Sequence, residues 1–284
     1  MDSDTTIECI DSIMKNTSID DYRIIVVDNA SNNGSYERLL EYYEGQTRIE
    51  WIHNDRNYGF STGNNIGYRY AKNNFSPQYI LIGNNDLVFH QADFVQRLRK
   101  LGEEYPFYVA GPDIVNLKGE HQNPLRLHLR PAAVIKKKKR NKKIFLYVLK
   151  IRKHIPLLQG IVDIMDKIYM SGGEKTQKGN ASAGMMKNIV LHGACVIFSQ
   201  KYIQNHDDAF PEYTFLYMEE DILTLRCEKL GYDTYYFPQL EVMHKEDVST
   251  DSVVKNKLEK NIFVLTETMK SLEIYLQLLE KDVI

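Results

Sequence analysis

Two short apolar runs, each closing on an aspartate, constrain the fold more than any other feature of the sequence. Residues 22–28, YRIIVVD, read as a continuous buried strand ending at Asp28. Residues 79–89, YILIGNNDLVF, read as another, broken by Gly83 and two asparagines so that Asp86 stands where the strand ends. Continuous apolar strands of this kind suit a sheet covered on both faces. Open α/β sheets bind ligands outside the carboxyl ends of their strands, so an aspartate there is a candidate ligand group. A plain Asn-Asn-Asp turn, its side chains bonding only their own backbone, is the competing account of residues 84–86.

The chain opens with a helical pattern. Thr5 with Glu8 has the form of a capping box, and Ile7, Ile10, Ile13 and Met14 follow at helical spacing. No strand pattern precedes it, so the sheet is expected to lack its first strand. Residues 29–35, NASNNGS, form a polar turn before a helix through Leu39 and Leu40, and residues 49–53 a short strand. Residues 54–67, NDRNYGFSTGNNIG, then make a loop rich in glycine and asparagine before a helix up to Phe75. This loop suggests a phosphate cradle, yet neither GxGxxG nor GxxxxGK[ST] is present, and a glycine-rich turn with a helix cap accounts for it as well. Residues 92–101 read as a helix and 108–115 as a strand. The alternation predicts a doubly wound, mostly parallel α/β sheet.

From Pro124 to about Asn188 the pattern changes. Of the 36 Lys and Arg residues, 12 lie between His121 and Val162, where none of the 38 Asp and Glu residues falls. A formal charge of −2 therefore hides one segment made to meet something anionic. Three accounts compete for residues 126–153: a solvated charged face, an anionic membrane surface, and nucleic acid. The interleaved Ile144, Phe145, Leu146, Tyr147, Val148, Leu149 and Ile151 favour lipid, and no nucleic-acid module motif is present. Residues 171–184, SGGEKTQKGNASAG, have a flexible-loop composition. Cys9, Cys195 and Cys227 are few, odd in number and far apart, which fits a reducing, cytoplasmic setting better than a disulfide framework. No apolar run approaches the ~20 residues that span a bilayer.

Residues 189–199, IVLHGACVIFS, read as a strand broken at His192-Gly193, where a small residue lets another group come close. In residues 215–226, FLYMEEDILTLR, Glu219, Glu220 and Asp221 are three consecutive carboxylates opening a helix that Gly231 closes. Acidic residues complement a helix N-terminus, but three are more than capping requires. A strand over 234–237 and then His244 follow. Leu258, Ile262, Leu265, Met269, Leu272, Leu276, Leu279 and Val283 form an a/d heptad seam that either docks on its own domain or pairs in a homodimer.

Taken in order, VVDNASNNGS, NYGFSTGNNIG, IGNNDLVF, HGACVIF, FLYMEEDILTLRCEKLGY and the isolated His244 resemble a family 2 glycosyltransferase of the GT-A fold, especially bacterial rhamnosyltransferase-like members. The resemblance runs from Asp4 to about His244, excluding the insertion. It implies a nucleotide-sugar-binding half over 1–123, a basic insertion and loop over 124–188, a catalytic and acceptor half over 189–250 and a C-terminal helical segment over 251–284.

The resemblance also implies roles. Asp28 matches the residue bonded to the nucleotide base, and Asn57, Gly63, Asn64, Asn84, Asn85 and Gly193 fall at donor-binding positions. Asp86 matches the last carboxylate of the metal-binding motif, and His244 a histidine completing the shell of Mn²⁺ or Mg²⁺. Glu219 and Glu220 align with the family's Glu-Asp pair, which makes Glu220 the general base, with Asp221 as a neighbouring substitute, and Arg226 falls near the acceptor. The implied reaction is inverting transfer of a sugar from UDP or dTDP to a glycan or lipid-linked acceptor in surface polysaccharide synthesis, at the inner face of the plasma membrane. Ile222 stands where the family usually has an aspartate, and the first strand of the family's sheet is expected to be absent. A catalytically silent scaffold or partner subunit is therefore the alternative.

Overall fold

The computed structural model describes residues 2–152, 184–246 and 257–280, together with Gly160 and Ile164. Its first half alternates as the apolar runs predict: α1 (Ser3–Asn16), β1 (Ile24–Asp28), α2 (Ser35–Tyr42), β2 (Ile49–His53), α3 (Phe60–Phe75), β3 (Tyr79–Gly83), β4 (Leu87–Val88), α4 (Phe94–Glu104) and β5 (Val109–Asn116). Then come α5 (Ala132–Arg152), β6 (Met186–Lys187), β7 (Cys195–Ser199), α6 (Gln200–Asn205), α7 (Glu219–Leu230), β8 (Thr234–His244) and α8 (Lys257–Glu280). The flexible stretch expected over 171–184 lies, up to residue 183, outside the described residues.

β1 and β2 pair in parallel as a sheet of their own, and the remaining strands form a second sheet in the order β3-β7-β5-β8-β4, with β6 on β8. The longest register is the parallel one of β5 with β8, broken by a bulge between Pro112 and Asp113, while β7 is antiparallel to both β3 and β5. Period-two alternation then sorts the core. Ile80 and Ile82 of β3 and Val196 and Phe198 of β7 face one hydrophobic cluster with Tyr68, Tyr202 and Phe210, whereas Cys195 and Ile197 face the other with Leu98, Phe107 and Phe237. Helix α3 spans the divide between the sheets: Tyr68 packs in the core of the larger one, and a Cβ on Gly67 would lie 2.8 Å from Val27 of β1.

Several local expectations shift. Asp2, not Thr5, caps α1, its Oδ1 accepting the Thr5 N–H at 2.9 Å. Helix α3 starts at Phe60, so half of the glycine-rich stretch is helical, its glycines serving close packing. Residues 189–194 are not in a strand, and only Val190 makes a bridge, to Arg126. The heptad seam of α8, as far as Leu279, is covered within the chain. Leu265 meets Phe145, Leu146 and Leu149 of the basic helix α5, and Leu272 and Leu276 meet Ile135 of α5 and Ile222 and Leu225 of α7. Among the described residues no helix is long and apolar enough to cross a membrane.

Candidate active site

Asp28 ends β1 with no exposed surface, and its parallel partner in register is His53, which ends β2. His53 Nδ1 lies 2.9 Å from Asp28 Oδ2, which also accepts the Ser31 N–H at 3.0 Å. Asp28 Oδ1 is buried with no hydrogen-bond partner, a costly state for a carboxylate and one a ligand donor would relieve. The adjacent Asn29 organises the loop beyond: its Oδ1 accepts from Asn54 Nδ2 and the Tyr58 N–H, and its Nδ2 donates to Asn57 Oδ1 and Gly59 O. Gly63 is glycine for this reason, since a Cβ there would sit 2.9 Å from Asn29 Nδ2. Asn64 bonds back to Phe60 O along its own helix.

The second aspartate meets His244 through sheet register. Leu87 of β4 pairs with His244 of β8, and the Lys245 N–H donates to Asp86 O at 3.0 Å. Asp86 and His244 are both buried, with Nε2 3.3 Å from Asp86 Oδ1, close enough for an ion pair yet not aligned as a hydrogen bond. One hard oxygen and one imidazole nitrogen fit two positions of a Mn²⁺ shell, while no group of three protein ligands stands together among the described residues. A nucleotide diphosphate would have to supply the remaining oxygens. The two asparagines of the turn serve its framework: the Asn84 N–H donates to Ala194 O, and Asn85 Nδ2 donates to Thr6 Oγ1. His192 packs its ring 5.9 Å from that of His244; burial first, and the neighbouring His244 second, push its imidazole down to about 4.

The three consecutive carboxylates diverge because a helix turns ~100° per residue. Glu219 points into the protein, its Oε1 buried without a partner, and desolvation together with the Glu220 charge pushes its carboxyl up to about 8. Asp221 is locked against Arg126 Nη2 at 2.6 Å, with Arg130 Nη1 3.8 Å away. A carboxylate held this way anchors the helix to the segment before α5. Glu220 alone is half-exposed, and its carboxylate makes no hydrogen bond or ion pair among the described residues. It lies against Gly193, where a Cβ would meet Glu220 Oε1 at 3.0 Å. The small residue expected to admit another group admits this side chain.

Arg226, expected near the acceptor, is instead buried in a bidentate pair with Asp208 at 2.8 and 3.0 Å and bonded to Tyr202 Oη at 3.1 Å, fastening α7 to residues 202–208. Several of the other predicted residues are joined by two paths of contact. One runs from Asp86 through His244 and His192 to Gly193 and Glu220. The other runs from Asp28 and Asn29 to Gly59, then across the Phe60 N–H to Phe215 O bond at 2.9 Å into the turn before Glu219. His53, Asn29, Gly59 and Arg126 were not singled out in the sequence. Only His53 carried a usable signal, since it closes its strand as Asp28 closes the neighbouring one.

Comparisons with known proteins bear on the family and the fold. The family model for glycosyl transferase family 2 matches residues 2–155. A curated relative, the low-salt glycan biosynthesis hexosyltransferase Agl10 of Haloferax volcanii, is 28% identical over 95 residues, which span 34% of this chain and 29% of that protein. Among solved structures, S. aureus TarS 1–349 in complex with UDP aligns with a TM-score of 0.51 at 11% identity, covering 92% of this chain and 61% of that one. GalNAc-T7 with UDP, GalNAc and Mn²⁺ aligns with a TM-score of 0.54 at 12% identity, covering 93% of this chain and 45% of that one. This chain thus spans less than two thirds of each of these proteins, and at such identities the structural likeness is one of fold, the GT-A fold. With the family model covering more than half of its residues, the chain belongs to glycosyltransferase family 2.

Proposed function

We propose that the protein moves a hexose, of the rhamnosyltransferase-like kind, from a UDP- or dTDP-sugar to a glycan or lipid-linked acceptor in surface polysaccharide synthesis, inverting the anomeric centre. The observation that carries this reading is Glu220, the one carboxylate of three left half-exposed and uncommitted. Its carboxylate takes the proton of an acceptor hydroxyl as that oxygen bonds to the anomeric carbon; the bond to the diphosphate breaks, and its electron pair leaves with the diphosphate. One displacement inverts. Asp28 Oδ1 receives a donor from the nucleotide base, and the loop carrying Asn57, Gly63 and Asn64 with the Asn84-Asn85 turn borders the donor. Asp86 and His244 would hold Mn²⁺ or Mg²⁺, which when bound supplies positive charge for the departing diphosphate. Glu220→Gln is expected to abolish transfer while leaving calorimetric affinity for UDP or dTDP with Mn²⁺ unchanged. Full activity in that variant would disprove the assignment.

The acceptor is reached at a membrane. Lys137, Arg140, Lys143 and Lys150 of α5 make no ion pair among the described residues, and they share its outer face with the exposed Ile144 and Tyr147. Cations around apolar side chains suit an anionic leaflet, here the cytoplasmic one. Flotation with anionic, but not with neutral, liposomes is the expected result. Indifference to lipid charge, or binding to RNA instead, would sink this part.

A further inference from the structure

We propose that Gln122 is a positioning residue for His244, fixing which ring nitrogen faces Asp86 and a bound cation. The inference rests on reading Asp86 and His244 as the metal pair. It starts from Glu246, whose carboxylate has acceptors and no donor. Glu246 takes hydrogen bonds from Gln122 Nε2 and, at 3.2 Å, from Asn116 Nδ2. The Gln122 amide therefore has one allowed orientation: Nε2 toward Glu246 and Oε1 toward His244. Gln122 Oε1 lies 2.8 Å from His244 Nδ1. A carbonyl oxygen carries no hydrogen, so Nδ1 must donate. Nδ1 therefore holds its hydrogen, and in the neutral ring the lone pair open to a metal belongs to Nε2, the nitrogen facing Asp86 Oδ1 at 3.3 Å.

The sheet places every member of this relay. The Gln122 N–H donates to Ile114 O at 2.8 Å, Asn116 ends β5 as the register partner of His244, and Glu246 follows two residues after the end of β8. Without the Gln122 oxygen, the neutral ring is free to carry its hydrogen on Nε2, which then presents a donor rather than a lone pair to the cation. Partners that orient a ligating histidine in this way are typically worth about 10–100-fold in metal affinity.

The test uses Mn²⁺ titrated by electron paramagnetic resonance in the presence of UDP, and the ¹⁵N spectrum of histidine-labelled protein without metal. In the native chain the ring signals that vanish in His244→Ala should report hydrogen on Nδ1. Gln122→Met should weaken Mn²⁺ binding about 10–100-fold and populate the other tautomer. The exchanged pair Gln122→Glu with Glu246→Gln keeps an acceptor against Nδ1 and a donor between the two side chains, so it should restore both readouts. Hydrogen on Nε2 in the native chain would overturn the inference, as would native Mn²⁺ affinity in Gln122→Met when His244→Ala has lost it. Should His244→Ala itself leave Mn²⁺ binding intact, the metal pair is wrong, and the tautomer spectra still decide the role of Gln122.

Discussion

Gly193→Ala isolates the position of the proposed base, Glu220, from its chemistry. The new Cβ would meet Glu220 Oε1 at 3.0 Å, Cγ at 3.3 Å and Cδ at 3.4 Å. Each contact is with a flexible side chain, and Gly193 does not have a positive φ, so the backbone accepts alanine. The fold should survive nearly intact, with unfolding free energy within ~1 kcal/mol of the native value. Glu220 must yield by a few tenths of an ångström to reach ordinary contact. A misplacement of ~1 Å can cost about 10²-fold, so a shift of less than half that predicts a fall in kcat of about 3- to 10-fold. Steady-state kinetics with calorimetry of UDP binding and a urea melt read the three quantities separately. An unchanged kcat would refute the reasoning, because it would mean that the carboxylate beside Gly193 does not set the rate.

Glu219 ties stability to pH. Its folded carboxyl sits at about 8 against an ordinary value of 4.5, so the native state holds a proton that the unfolded chain releases. Its contribution is complete below pH ~4.5 and is lost as pH rises through about 8, on the order of 5 kcal/mol in all. Urea midpoints measured from pH 5 to 8.5 should fall more steeply for the native chain than for Glu219→Gln. Arg126→Met strands the buried Asp221 with Arg130 at 3.8 Å as its remaining cation, so unfolding free energy should drop by about 3 kcal/mol, and adding Asp221→Leu should recover most of it. Gly59→Ala forces a Cβ to within 2.2 Å of Phe215 O at φ +81°, where only glycine is at ease. A thermal melt should show Tm lowered by about 5–10 °C, and calorimetry should show nucleotide affinity lowered with it.

Much of the fold was legible because β1, β2, β3 and β5 each carry their own apolar run and need no partner to be recognised. The proposed metal pair was half legible. Asp86 declares itself at a strand end, but His244 meets it only because β4 and β8 pair in register, a contact between positions more than 150 residues apart. The carboxylate trio was visible, while its division of labour was not. That division depends on Arg126 reaching Asp221 from the segment before α5 and on Gly193 leaving room for Glu220, and neither partner is a neighbour in sequence. The pairing of Arg226 was hidden for the same reason: nothing near it in sequence announces Asp208 as its bidentate partner.

The turn before Glu219 shows why the distant parts of the chain are needed at all. Tyr217 and Met218 both adopt left-handed backbone conformations, at φ 72° and 70°, which for two successive non-glycine residues costs about 1–3 kcal/mol each. Such a turn persists only when its surroundings over-determine it. Here the Phe60 N–H holds Phe215 O from α3, and Ser271 Oγ donates to Leu216 O at 2.6 Å from α8. Met218 packs in a cluster with Ile222, Leu272 and Tyr275, and Arg126 grips Asp221 one turn further on. Released from these holds, the turn would relax and rotate the first residues of α7, taking Glu220 away from Gly193. The heptad seam of α8 therefore has a use beyond burying leucines, since the helix it docks beside α7 supplies one of the clamps on the turn that carries the proposed base.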